Sequence, residues 1–121
     1  MQNENTPHQD LYSGLIRLHI LHHACEGDIF GLGMIEELGR HGYKLSPGTM
    51  YPILHSLEER GLLVSKEKQE GRRYRRFYRA TPAGRRALIA AKEKVRELFE
   101  HQPHRVSRKR TTTTRRTKPK T

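Results

Sequence analysis

The sequence predicts a mainly α fold with one small β-hairpin, an α+β chain ordered helix, helix, helix, hairpin, helix. Three observations carry that expectation. Apolar residues recur at spacings of three and four in four separate stretches. Two pairs of a hydroxyl residue followed by proline, Ser46-Pro47 and Thr81-Pro82, stand where helices should start. A Glu70-Gly71 turn divides two strand-like runs.

The first helix follows Asp10 and runs to about Glu26. Leu11, Leu15, Leu18 and Cys25 form one stripe, and Ile16, Ile20, Leu21 and Ala24 widen it. A helix apolar over so much of its circumference is buried on two sides. Gly27 ends it, and Asp28 is placed to cap the second helix by accepting a backbone N–H bond. Phe30, Met34 and Leu38 share one face of that helix with Ile35 beside them, and Gly39 and Gly42 bracket its end.

Ser46-Pro47 starts the third helix, because serine caps and proline fills the first position, where no N–H is needed. Met50, Ile53, Leu54 and Leu57 form its core face, Pro52 falls within its first two turns, and Gly61 stops it. Strands are expected over 62–69 and 72–80, with Tyr78 anchoring the hairpin to the core. Thr81-Pro82 launches the fourth helix, with Leu88, Ala91, Val95 and Leu98 at helical spacing and Pro103 closing the folded part. The expected segments are a disordered N-terminus over 1–9, a domain over 10–80, a helix over 81–101 that joins two copies, and a disordered basic tail over 102–121.

Charge is sharply divided along the 121 residues. Residues 1–62 carry a net −4, residues 63–100 carry +7, and residues 101–121 carry +8, for +11 overall. A polyanionic partner suits that asymmetry, with nucleic acid ahead of an anionic membrane. The one cysteine, Cys25, excludes an intramolecular disulfide and any zinc site built on cysteines. No apolar run reaches membrane-spanning length, and the N-terminus lacks the pattern of a signal peptide, so a cytoplasmic protein, nucleoid-associated when on DNA, is expected. No phosphate loop, nucleophile elbow or acid/base pair is present, so neither an enzyme nor a cofactor is expected. His19, His22, His23 and Glu26 share faces of the first helix, but such spacings arise readily by chance and no metal site is assigned to them.

Three helices followed by a basic hairpin is the winged helix-turn-helix order, in which the third helix enters the major groove and the hairpin lies on a neighbouring groove or backbone. At the start of the third helix Ser46 and Gly48 allow close approach to phosphate, Thr49 and Tyr51 offer hydroxyls, and His55 offers a ring nitrogen. The run from Arg72 to Arg79 holds five arginines among three aromatics. Strand alternation sends Arg73, Arg75 and Arg79 to one face and Arg76 to the other. Arg72, Arg73, Arg75 and Arg76 are the expected phosphate contacts. Leu11, Leu15 and Leu18 of the first helix and Leu88, Val95 and Leu98 of the fourth are the expected interface of a symmetric homodimer.

The segment Ser46-Pro47-Gly48-Thr49-Met50-Tyr51-Pro52, continued by Leu57-Glu58-Glu59-Arg60-Gly61-Leu62-Leu63, resembles the signature of the PadR family of bacterial transcriptional regulators. Gly71-Arg72-Arg73 and the run Arg76-Phe77-Tyr78-Arg79-Ala80-Thr81-Pro82-Ala83-Gly84 resemble that family's wing and fourth-helix start. The likeness covers about residues 11–100. It implies a homodimer that binds double-stranded DNA and usually represses transcription, with a small aromatic or cationic effector bound near the dimer interface in some relatives. The chain departs from the family where a Pro-x-Tyr-Gly-Tyr start to the second helix is common. Here it reads Asp28-Ile29-Phe30-Gly31-Leu32, without the tyrosine hydroxyls that could reach phosphate. It also has no tryptophan to stack on a flat effector. The rival expectation is a basic winged-helix protein of structured RNA, without an operator.

Overall fold

Both proline pairs fall where helices begin. In the computed structural model, which describes residues 8–100, α3 (Pro47–Glu59) starts behind Ser46 and α4 (Pro82–Glu100) behind Thr81. Around them lie α1 (Gln9–Glu26), α2 (Gly31–Arg40), β1 (Leu63–Glu70) and β2 (Arg73–Ala80). This is the expected winged helix-turn-helix order with its added C-terminal helix. The segment 101–121, including Pro103 and the basic tail, lies outside the described residues, as do residues 1–7. No helix among the described residues is long and apolar enough to cross a membrane.

The two proline pairs differ in their capping. The Thr81 hydroxyl accepts from the Gly84 N–H at 2.9 Å and donates to the Gly61 carbonyl at 2.6 Å, so it caps α4 and ties it to the end of α3. Ser46 occupies the cap position without bonding the backbone. Its hydroxyl donates to that of Thr49 at 3.4 Å.

Three local expectations are corrected. The first helix begins at Gln9, so Asp10 stands inside its first turn, where it complements the helix dipole. Asp28 does not cap α2; Phe30 takes that position, and the carboxylate is drawn instead to two cations of the hairpin. The hairpin turn is Gly71-Arg72, one residue later than expected, because Glu70 pairs with Arg73. Gly71 has φ +62° and is the only turn residue with positive φ, as a tight turn with glycine at its first central position requires.

Every element contributes to one core. Ile16, Ile20, Leu21 and Ala24 of α1 meet Met34 and Leu38 of α2, and Met50, Ile53, Leu54 and Leu57 of α3. Leu63, Tyr78 and Ala80 of the hairpin and Leu88 of α4 close it. Burying each large aliphatic side chain contributes roughly 1.5–3 kcal/mol. Tyr78, only 1% exposed, anchors the hairpin as expected, and burial pushes its hydroxyl pKa up. A single antiparallel bridge then adds Ile29 beside β2, with N–H···O bonds of 2.9 and 2.8 Å to and from Tyr78. The α1–α2 connection thus acts as a one-residue third strand.

The fourth helix crosses the α3–β1 corner at Gly84. The Leu62 carbonyl accepts the Thr81 N–H at 3.1 Å, and a Cβ on Gly84 would fall deep inside contact distance of that same oxygen. Backbone on both sides cannot yield, so Gly84→Ala is expected to destabilise the fold by about 2–3 kcal/mol. Gly39→Ala, where a Cβ meets nothing within 4 Å, should instead stabilise by about 0.5 kcal/mol. Denaturant unfolding of both variants checks the pair; equal effects would contradict the close approach at Gly84.

Histidines fill the seam between α1 and α2. The His19 ring lies 4.8 Å from His41 and 5.6 Å from Tyr43, and His23 and His41 approach Glu37 at 3.7 and 3.4 Å. Arg40 also pairs with Glu37. Burial first, then the neighbouring His41, His23 and His22, hold the His19 pKa below its ordinary 6.5, against a smaller opposing pull from Glu37. The unfolded chain therefore takes up this proton more readily than the folded one. Stability from this group is complete above pH 6.5 and falls as pH drops from there through the lower folded value. His19→Gln should flatten that part of the melting-temperature profile, measured by thermal unfolding across the range; an unaltered profile would refute the assignment.

Candidate nucleic-acid interface

The periodicity that buries Met50, Ile53, Leu54 and Leu57 turns the opposite side of α3 outward. Gly48, Pro52, His55 and Glu59 are exposed along that side, with Thr49 and Tyr51 half-buried on its two flanks. A Cβ on Gly48 would meet nothing nearer than the Ser46 hydroxyl at 3.6 Å, so none of the described residues occupies the space over it. Pro52 has no N–H to give the Gly48 carbonyl, so the first turns of α3 lack one regular helix hydrogen bond.

Tyr51 is held from behind. A Cβ on Gly31 would come within 2.5 Å of its ring, so the first turn of α2 supports the tyrosine only because residue 31 is glycine. Arg17 of α1 borders the other flank of α3, on the Thr49 side. It donates to the Ser13 carbonyl at 3.1 Å and the Ser13 hydroxyl at 2.6 Å, and lines a cleft of about 550 Å³ with Gly48, Thr49 and Pro52. Sequence reasoning passed over Arg17, since one arginine on a mostly apolar helix carries no signal until the fold brings α1 beside α3.

The hairpin arginines divide into two sets. Arg72 and Arg73, at and beside the turn, are exposed, and their guanidinium groups make no hydrogen bond or ion pair to the described residues. Arg76 donates to the Ser65 hydroxyl at 3.1 Å and pairs with Glu67 at 3.8 Å. Arg75 stacks on the Phe30 ring with 4.1 Å to its centroid and reaches Glu70 at 3.4 Å. Alternation holds as expected: Tyr74, Arg76, Tyr78 and Ala80 share the core side, and Arg73, Arg75, Phe77 and Arg79 the other.

The bridge register explains what Arg75 and Arg79 meet. With Ile29 opposite Tyr78, Asp28 stands opposite Arg79 and Phe30 opposite Phe77. Asp28 accepts from Arg79 at 2.9–3.0 Å and from Lys68 at 2.5 Å. Those two hydrogen bonds, Lys68 foremost, lower its carboxyl pKa. The Phe30 and Phe77 rings meet edge to face at 5.6 Å, and Lys68 lies 5.0 Å over Phe77. Each cation–ring or ring–ring contact of this kind contributes about 0.5–1.5 kcal/mol.

A second surface lies on the far side. Leu15, Leu18, His19 and His22 of α1 and Leu88, Val95, Arg96 and Phe99 of α4 line a mostly apolar groove of about 570 Å³. Leu11, Leu15 and Leu98 of the expected interface are exposed, and Phe99 is 78% exposed. Leu18 and Val95 are half-buried, whereas Leu88 is only 6% exposed within one chain and belongs chiefly to the core. Among the described residues no group of three or more His, Cys, Asp or Glu side chains is arranged to hold a metal ion, and Cys25 is half-buried against the core.

Comparison with known proteins agrees with this geometry. Residues 20–90 match the transcriptional regulator PadR-like family. The chain is 53% identical over 93 residues to a transcriptional regulator of Mycobacterium tuberculosis, covering 74% of this chain and 87% of that one. A PadR family regulator from Eggerthella lenta superposes with a TM-score of 0.68 at 28% identity, over 75% of this chain and 80% of its own. Bacillus subtilis PadR in complex with operator DNA superposes at 0.57 over 79% of this chain and 53% of its own; at 20% identity that likeness is one of fold alone. With the family match spanning more than half of its length, and a regulator this similar, the chain belongs to the PadR-like family of transcriptional regulators.

Proposed function

We propose that the chain is a sequence-specific double-stranded-DNA-binding repressor that acts as a homodimer. The observation that carries this reading is the pairing of an outward α3 face with a hairpin tip whose Arg72 and Arg73 have no partner among the described residues. Gly48, with no side chain in the way, lets a phosphate approach the positive end of the α3 dipole, and Thr49, Tyr51 and His55 reach base edges from one helix. Arg72 and Arg73 hold the backbone. Arg75 and Arg76 are already engaged, and their surface pairs with Glu70 and Glu67 are weak enough to be exchanged for phosphate. The basic segment 102–121 adds sequence-independent cations.

A dimer would place two α3 helices on two half-sites, and the exposed apolar residues of α1 and α4 are the surface to join them. Repression then follows from occupancy of the operator, and a small molecule seated in the α1–α4 groove would release it by competing with the partner's helix.

Selection of bound sequences from random duplex DNA tests the central reading. One enriched motif of two related half-sites is expected. Structured RNA bound as tightly as the best duplex, with no enrichment, would overturn it.

Leu98 is 73% exposed, so Leu98→Glu should leave single-chain folding unchanged. It should weaken dimerisation roughly 10- to 100-fold, the equivalent of losing one buried leucine. Sedimentation equilibrium reads this directly, and a wild-type chain that stays monomeric at micromolar concentration would contradict the dimer.

The two DNA-facing elements should fail differently. Tyr51→Phe removes one hydroxyl and should lower affinity for the selected duplex about 2- to 10-fold while sparing random duplex. Arg72→Ala should weaken both duplexes alike and flatten the log K against log salt slope by about 0.9. Fluorescence anisotropy at several salt concentrations checks both; the reverse pattern would exchange the roles.

A further inference from the structure

We propose that Asp28 is the positioning residue of the hairpin: it fixes the angle at which Arg72 and Arg73 are presented beside α3, without touching DNA itself. The inference rests on duplex DNA being the ligand. Asp28 comes from the α1–α2 connection, Lys68 from β1 and Arg79 from β2, so its one carboxylate ties together three segments distant in sequence. It is 20% exposed, and both oxygens are used, Oδ2 by Lys68 and Oδ1 by Arg79. Phe30, two residues on, supports Phe77 edge to face and carries Arg75 on its ring. All of these contacts lie on the face of the hairpin opposite Tyr78. The hairpin base is therefore gripped from both sides, while its turn at Gly71-Arg72 is held by neither.

Charge sharpens the argument. A carboxylate at the base of a hairpin that approaches phosphate repels the ligand, and it neutralises cations that could otherwise attract it. An acid here opposes DNA binding by simple electrostatics, so its contribution must be geometric. Phe30 and Leu32, at the start of α2, carry no hydroxyl that could reach phosphate. Phe30 is used to hold the wing instead.

The two explanations give opposite signs. If Asp28 positions the wing, Asp28→Asn should weaken binding to the selected duplex about tenfold and flatten its salt slope by roughly 1 to 2, the share of Arg72 and Arg73. Asp28→Glu, which keeps the charge, should restore at least half of the lost affinity on a logarithmic scale. Phe30→Leu alters no charge and should weaken binding in the same direction. If only charge matters, Asp28→Asn should tighten binding and steepen the slope. Anisotropy titrations below the unfolding temperature of each variant, fixed first by thermal melts, separate wing placement from loss of fold. In the free protein, nuclear Overhauser contacts between the Phe30 and Phe77 rings should weaken in Asp28→Asn while those of Tyr78 with the core persist. Equal or tighter binding by Asp28→Asn, or ring contacts unchanged, overturns the positioning role. A wild-type chain that selects no duplex overturns the DNA reading instead.

Discussion

Two backbone hydrogen bonds between Ile29 and Tyr78 join the α1–α2 connection to the second hairpin strand, and the geometry of the whole interface depends on them. A hairpin of two eight-residue strands is marginal by itself in water. Here one strand gains a neighbour at the residue that is also its anchor, because Tyr78 is buried and bridged at once. Side chains one residue either way project to the other face, which sends Asp28 to Arg79 and Phe30 to Phe77. A slip of one residue would bury Asp28 or Phe30 in place of Ile29 and leave Tyr78 without its backbone partner.

The same connection sets α2, and through it α3. Gly31 follows Phe30 directly, and its missing side chain is the space into which the Tyr51 ring fits. The placement of Tyr51 and of the hairpin therefore trace back to four consecutive residues, Asp28 to Gly31. Substitutions in this segment would alter how the hairpin lies beside α3 more than they would alter the packing of α1 on α3. Glu58 adds a second tie from the other end of α3, accepting from the Ser65 N–H at 3.2 Å and from its hydroxyl at 2.9 Å. The end of the helix and the base of the hairpin are thus joined directly.

Local chemistry was the legible part of this fold. Ser46-Pro47 and Thr81-Pro82 mark helix starts because proline's requirements are met within one turn, and the core face of α3 follows from spacing alone. Asp28 misled for the same reason. An aspartate before a helix is a sound cap by local rules, but its cations arrive from 40 and 51 residues away and outcompete a helix N–H. The turn moved by one residue because the β1–β2 register, which sets Ser65 opposite Tyr78 and Glu70 opposite Arg73, outranks the preference of Glu70-Gly71. The alternation of the arginines was readable; which of them carry partners was not, since Glu67, Glu70 and Phe30 are placed by pairing and by the bridge. Leu88 lay in a regular stripe with Val95 and Leu98, yet a stripe cannot say which of its turns meets its own core and which is left exposed.

The division of charge and the division of geometry coincide. The half that contains α3 is net negative, while the hairpin and everything after it hold the positive charge. On the proposed function, a groove-entering helix with no net cation has little long-range attraction for a polyanion, and what it gains must come from hydrogen bonds and fit. Attraction and salt dependence would then reside in the hairpin and the basic segment 102–121, which read no sequence. Such a division makes the angle between α3 and the hairpin decisive. The attractive element must reach phosphate while the discriminating one is seated, and a small rotation of the wing separates two contributions that neither element supplies alone. The acid at Asp28 is understandable on these terms: its repulsion would be felt by every duplex equally, whereas the placement proposed for it would favour the duplex that α3 can read.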